Sequence, residues 1–182
     1  MEPTPPSLAV CTVSSKARGT LKSLPRLAMP AVLLLASLSA SFPASAQKVR
    51  ISDLSDVNFG LLSNLQADAR RSQNVCLFSN SMGGRYSITA TGSGSGSSFT
   101  LNDGSHSLPY EVEWSDQSGQ TSGTGLAPAV TATGRVSAAS QQTCNSGPAS
   151  SASLTVVLRA SSLTQAREGN YSGSLTLLVA AE

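Results

Sequence analysis

The chain has 182 residues, room for one domain and little more. Charged residues make up 12% and aromatics 4%, while Gly, Ser, Thr and Ala are abundant, which favours short strands and polar turns over long helices. The formal charge of +2 arises near the start, where Lys16, Arg18, Lys22 and Arg26 lie. From Gln47 onward eight basic residues stand against nine acidic ones, so no electrostatic footprint for nucleic acid remains. The Arg70-Arg71 pair reads as solvated side chains.

Residues 1–46 have the pattern of an export signal. A basic region runs to Arg26, an apolar run covers residues 27–40, and Ala44-Ser45-Ala46 before Gln47 is a small-residue cleavage site. The apolar run is too short to span a bilayer and is interrupted by Pro30. This stretch is set aside from the fold, leaving residues 47–182 as the mature domain. Cys11 leaves with it. The two remaining cysteines, Cys76 and Cys144, most simply form one disulfide in an oxidising compartment.

In chain order, Val49 and Ile51 alternate with charged residues before Leu54, Val57 and Phe59 shift the phase, which implies a bulge or bend near Ser52-Asp53. Residues 61–69 read equally as a helical turn or a loop. Residues 72–80 form a strand with Cys76 and Phe78 on one face, and residues 85–90 another with Tyr86, Ile88 and Ala90 in phase. The Gly/Ser run 92–98 has linker composition and reads as a mobile hairpin connection. Phe99-Thr100-Leu101 is a short strand.

Leu108, Tyr110, Val112 and Trp114 alternate with Pro109, Glu111 and Glu113, so Trp114 reads as a core plug and the two glutamates as a solvated outer face. Residues 117–125 read as a polar loop, 130–133 as a weak strand, and Cys144 lies in a turn-rich run. Leu154, Val156 and Leu158 mark a clear strand, and residues 160–168 a connection. The last strand carries Tyr171, Leu175, Leu177 and Val179 on alternate positions. Seven or eight such strands imply an all-β sandwich. Its last strand presents an edge that needs a partner, from this chain or another.

Catalytic and metal chemistry find little support. His106 is the only histidine, too few for an imidazole–thiolate metal site once Cys76 and Cys144 are bridged. No G-x-S-x-G elbow accompanies it. Asp53 and Asp56 lack a dense acidic calcium loop, and Gly92, Gly94 and Gly96 do not precede a helix. No enzyme, cofactor or metal is expected.

Three motifs, in order, resemble the spore coat protein U domain family, which includes archaic chaperone–usher pilins. They are Val57-Asn58-Phe59-Gly60, Leu108-Pro109-Tyr110, and the closing Gly169-Asn170-Tyr171-Ser172-Gly173-Ser174-Leu175-Thr176-Leu177. The resemblance implies an immunoglobulin-like antiparallel β-sandwich that lacks its last strand. A periplasmic chaperone lends a strand, the N-terminal extension of a neighbouring pilus subunit later replaces it, and an outer-membrane usher is a further partner. Tyr171, Leu175, Leu177 and Val179, with Phe59 opposite, would line the acceptor groove, and Tyr171 would suit a tyrosine corner.

The chain departs from the family in two ways. Cys76 pairs far downstream with Cys144, and only residues 47–53 precede the first core strand, too few to donate. That points to a minor or tip subunit of a surface fimbria, in adhesion or biofilm formation. The alternative is a self-sufficient secreted β-sandwich that binds a ligand or envelope partner, closed by residues 49–54 folding back beside the last strand.

Overall fold

The computed structural model describes residues 7–17, 47–145 and 149–182. Its elements are β1 (Ser7–Ala17), β2 (Val49–Ser52), β3 (Gly60–Leu61), β4 (Ala69–Ser79), β5 (Arg85–Gly92), β6 (Thr100–Asn102), β7 (Ser107–Pro109), β8 (Glu111–Ser115), β9 (Thr124–Leu126), β10 (Thr131–Val136), β11 (Ala152–Leu158), the one-turn helix α1 (Ala160–Leu163) and β12 (Tyr171–Ala181). The fold is all-β, as the alternation implies. Two sheets stack as a sandwich: one ordered β10-β5-β12-β1-β3, with β6 and β7 attached, and one ordered β2-β4-β11-β8-β9. Every pairing is antiparallel except that of β1 with β12.

The core lies between the sheets and is built from the alternate residues singled out above. Leu108, Tyr110, Val112 and Trp114 are all buried, although Leu108 belongs to β7, Val112 and Trp114 to β8, and Tyr110 lies between them. The chain turns at Tyr110, so that β7 serves one sheet and β8 the other. Tyr110 then stacks on Phe99 with ring centroids 5.5 Å apart. Trp114 is fully buried, as expected of a core plug, and its indole Nε1 donates to the Tyr86 hydroxyl at 2.7 Å and to Asp116 Oδ1 at 3.1 Å. Burial first, and then donation to Asp116, keep the Tyr86 phenol protonated well beyond its ordinary range. A buried indole N–H needs such a partner, and here it has two.

β11 is covered on both faces. Leu154 and Val156 face the core, while Ser153, Thr155 and Val157 are buried on the outer face beneath long side chains from neighbouring strands. This corrects the solvated reading of Glu113 and Arg70. Glu113 is buried, and Arg70 on β4 reaches it at 3.0 Å across β11. Arg159 bridges Asp68 at 2.8 Å and Glu111 at 2.5 Å alongside. The Arg159 hydrogen bond holds the Glu111 carboxyl below its ordinary range. The backbone N–H of Ala160, and then Arg159, do the same for Asp68. Arg71 lies over the Phe59 ring at 6.0 Å and donates to the Asn58 carbonyl.

Cys76 and Cys144 are joined by a disulfide. It ties β4 to the turn-rich segment before β11 and closes a loop with a sequence separation of 68, a constraint that contributes about 4 kcal/mol in the chain-entropy model. The bend expected at Ser52-Asp53 is present, with Asp53 at φ 64° in the left-handed region.

Three further readings need correction. Residues 92–98 do not link two mutually paired strands: β5 and β6 both lie along the same edge of β12, and the run is an excursion between them. It is tied down by bonds from Gly94 N to Ser98 O and from Ser93 N to Ser174 O. Glycine is required at 92, where a Cβ would come within 2.1 Å of the Ser98 carbonyl oxygen. Residues 124–126 form edge strand β9 where a polar loop is expected. Residues 49–52 pair with β4 in the second sheet and so do not fold back beside the last strand. Residues 7–17, inside the stretch read as a leader, form a strand of the first sheet.

Candidate functional site: the edge of the last strand

β12 is the strand on which the first sheet converges. Tyr171, Leu175, Leu177 and Val179 are at most 1% exposed, each contributing roughly 1.5–3 kcal/mol of apolar burial for the aliphatic members. The intervening Ser172, Ser174 and Thr176 lie on the outer face. One edge of β12 is taken by β5 in antiparallel register, from Leu175 opposite Gly92 to Ala181 opposite Tyr86.

The direction of the main-chain groups follows from individual bonds. The Ser174 carbonyl accepts from Ser93 N, the Ser174 N–H donates to Ser93 Oγ, and Glu182 N donates to the Arg85 carbonyl. Even-numbered residues therefore turn their polar main-chain groups toward β5. In a strand the alternate residues turn theirs the other way, so the N–H and C=O groups of Gly173, Leu175, Leu177 and Val179 face the opposite edge.

Among the described residues, only β1 covers that opposite edge. It runs parallel to β12, with Leu8 opposite Tyr171, Cys11 opposite Gly173, and an unbroken register from there to Ala17 opposite Val179. Its other side meets the two-residue β3, where Ser7 and Leu8 pair with Leu61 and Gly60. Phe59, 3% exposed, directly precedes β3, and Gly60 takes a left-handed turn at φ 65°. The five residues expected around an acceptor groove thus divide. Tyr171, Leu175, Leu177 and Val179 lie on one wall of the β1 slot, and Phe59 adjoins the start of the other wall. Without β1, β12 and β3 would be separated by one strand width and both would expose unpaired main-chain groups.

The N-terminal end of β12 is anchored by Asp103 in the β6–β7 turn. The Tyr171 hydroxyl meets the Arg167 backbone and the Asp103 carboxylate, and burial raises its ionisation above the ordinary phenol value. Asp103 is itself held down at about 2, first by the backbone N–H of His106 and then by that of Ser105, at 2.5 and 2.8 Å. The His106 ring sits 3.1 Å from the same carboxylate. This histidine thus helps to close the turn that anchors the start of β12.

The folded carboxyl of Asp103 lies below its unfolded value near 3.9, so its contribution is fully present above about pH 4 and is lost as pH falls through about 2. Denaturant midpoints of the wild type and Asp103→Ala are expected to differ at pH 7 and to converge near pH 2. Equal midpoints at pH 7 would remove Asp103 as an anchor.

Ala46 lies outside the described residues, and Gln47 is exposed just before β2. Among the described residues no group of three or more His, Cys, Asp or Glu side chains is placed to hold a metal ion. No described helix is long and apolar enough to cross a membrane. No protein-family model matches the chain, and no curated protein matches it.

Proposed function

We propose that this protein is an exported structural subunit of a chaperone–usher type pilus, an immunoglobulin-like sandwich whose missing strand is supplied by another chain. One observation carries the reading: the edge of β12 away from β5 is closed by residues 7–17, which fall within the stretch read as a leader. Cleavage between Ala46 and Gln47 takes that strand away and leaves Gly173, Leu175, Leu177 and Val179 with unsatisfied main-chain groups beside a buried apolar wall. Strand addition answers both needs, since main-chain bonds provide affinity and alternate side chains fill the wall. The partners are accordingly a periplasmic chaperone, an outer-membrane usher and neighbouring subunits.

The subunit accepts but does not donate. After cleavage only Gln47 and Lys48 precede β2, and β2 is built into the second sheet against β4. That supports a minor or tip position, with a role in adhesion or biofilm formation. The self-sufficient binding module loses its proposed closing segment, because residues 49–52 are engaged elsewhere.

Size-exclusion chromatography of residues 47–182 exported to a periplasm without helper proteins tests the reading. The expected result is aggregated or degraded material. A stable, protease-resistant monomer would contradict it.

A further inference from the structure

On the β5 side of β12, away from β1, the β6–β7 hairpin and β9 frame a concavity that the strand-accepting edge does not use. It arises where the chain passes from one sheet to the other between β7 and β8. Phe99, Tyr110 and Val112 line it, together with Pro109 of β7, Leu126 of β9 and Pro128. Pro128 is held in place because the next residue, Ala129, donates its N–H to the Ala90 carbonyl of β5 at 2.7 Å. The volume is about 370 Å³, at the small end of the range for ligand pockets, about 300–1,000 Å³. A second hollow of about 340 Å³ adjoins it, sharing Ser98 and Thr100. Ser93, Ser95, Asn102 and Ser107 also line this second hollow, and none of its lining residues is charged.

We infer that the two adjoining hollows form a binding site for a neutral carbohydrate. The lining chemistry selects the class. The one charged residue of the apolar hollow, Glu111, is already matched by Arg159 at 2.5 Å, so neither hollow offers a counter-charge to a phosphate, a carboxylate or an amine. Hydroxyl and amide side chains both donate and accept, as the hydroxyls of a sugar require. A sugar ring also carries a C–H face, which the apolar hollow removes from water. A purely apolar ligand would leave the hydroxyl ledge unmatched, and an open-chain polyol would leave the apolar hollow wet.

The site is pre-formed. Phe99 and Tyr110 are stacked on each other, and the Tyr110 N–H donates to the Phe99 carbonyl at 2.9 Å. The Ser98 and Thr100 hydroxyls share a hydrogen bond of 3.0 Å. The Gly104 N–H donates to Asn102 Oδ1 at 2.7 Å, which leaves Nδ2 as the donor that Asn102 presents. A ligand thus meets groups already in place, which lowers the cost of ordering them. None of these residues lies on β1 or on the edge that β1 covers, so the site is independent of how that edge is filled.

Amide chemical shifts in the chain of residues 1–182, titrated with maltose, lactose, cellobiose and diacetylchitobiose, test this. At least one of these neutral disaccharides is expected to give saturable shifts at millimolar concentration, strongest in residues 98–102, 110–112 and 125–126. Cyclohexanol, an apolar ring without the array of hydroxyls, is expected to bind at least about 10-fold more weakly. Ser98→Ala with Thr100→Val is expected to weaken saccharide binding by about 10-fold or more, the loss of about two hydrogen bonds. Its melting temperature should stay within a few degrees of the wild type, because two hydroxyls that bond each other are removed together. No saturable shift from any of the four sugars, shifts centred on another face, or equal binding of cyclohexanol would overturn the carbohydrate site. So would undiminished binding in the double variant.

Discussion

Fusing a strand of about ten residues with alternating apolar side chains after Glu182 is expected to raise the melting temperature of residues 47–182 by tens of degrees. A short turn would bring the added strand back antiparallel along the edge that β1 occupies in the full chain. It would satisfy the main-chain groups of Gly173, Leu175, Leu177 and Val179, each bond contributing about 0.5–1.5 kcal/mol net. It would also cover the wall formed by buried Leu175, Leu177 and Val179, where each apolar side chain inserted from the donor adds about 1.5–3 kcal/mol. The sum is several kcal/mol even after the cost of ordering the strand. One kcal/mol moves the midpoint of a domain of this size by about 2–8 °C. An unchanged melting temperature would mean that the edge is already closed.

Trp114→Ala is expected to cost about 3–5 kcal/mol, a large share of the stability of any single domain. The indole is fully buried and joins the two sheets: it belongs to β8 and bonds the hydroxyl of Tyr86 on β5. Its loss leaves a cavity and removes one partner from Tyr86 and Asp116, which retain each other. Trp114→Phe keeps most of the volume and loses the donor, so a smaller loss, about 1–2 kcal/mol, is expected. Circular dichroism in denaturant reads both, since Trp114 is the only tryptophan and its fluorescence leaves with it. A loss below about 1 kcal/mol for the alanine variant would contradict this packing.

How much of this was legible beforehand depended on whether one strand or several decided a residue's surroundings. Tyr171, Leu175, Leu177 and Val179 show their buried face in a period of two that needs no partner to be read, as do Leu154, Val156 and Leu158. The bend at Asp53 followed from a phase shift in the same way. Glu113 was misread because its burial depends on the side chain of Arg70, brought to it across β11 by a register that no local pattern encodes. β9 was missed because Thr124-Gly125-Leu126 is an edge segment with one buried residue.

The slot was legible from one side only. The closing strand shows an edge in need of a partner, but the occupant lies in residues 7–17, within a stretch whose pattern is that of an export signal. Residues 49–52 looked equally able to close the edge by alternation alone. Their pairing with β4 is a matter of tertiary register.

The most direct measurement is amide hydrogen exchange in residues 47–182, with and without the fused strand, read at Gly173, Leu175, Leu177 and Val179. Without the strand these four amides should exchange as open groups, and with it they should slow by at least about 100-fold, while those of Thr176 and Leu178 face β5 in the folded domain. Protection of all four in the unfused chain would mean that the sheet closes by itself, and the account of a strand-accepting subunit would fail.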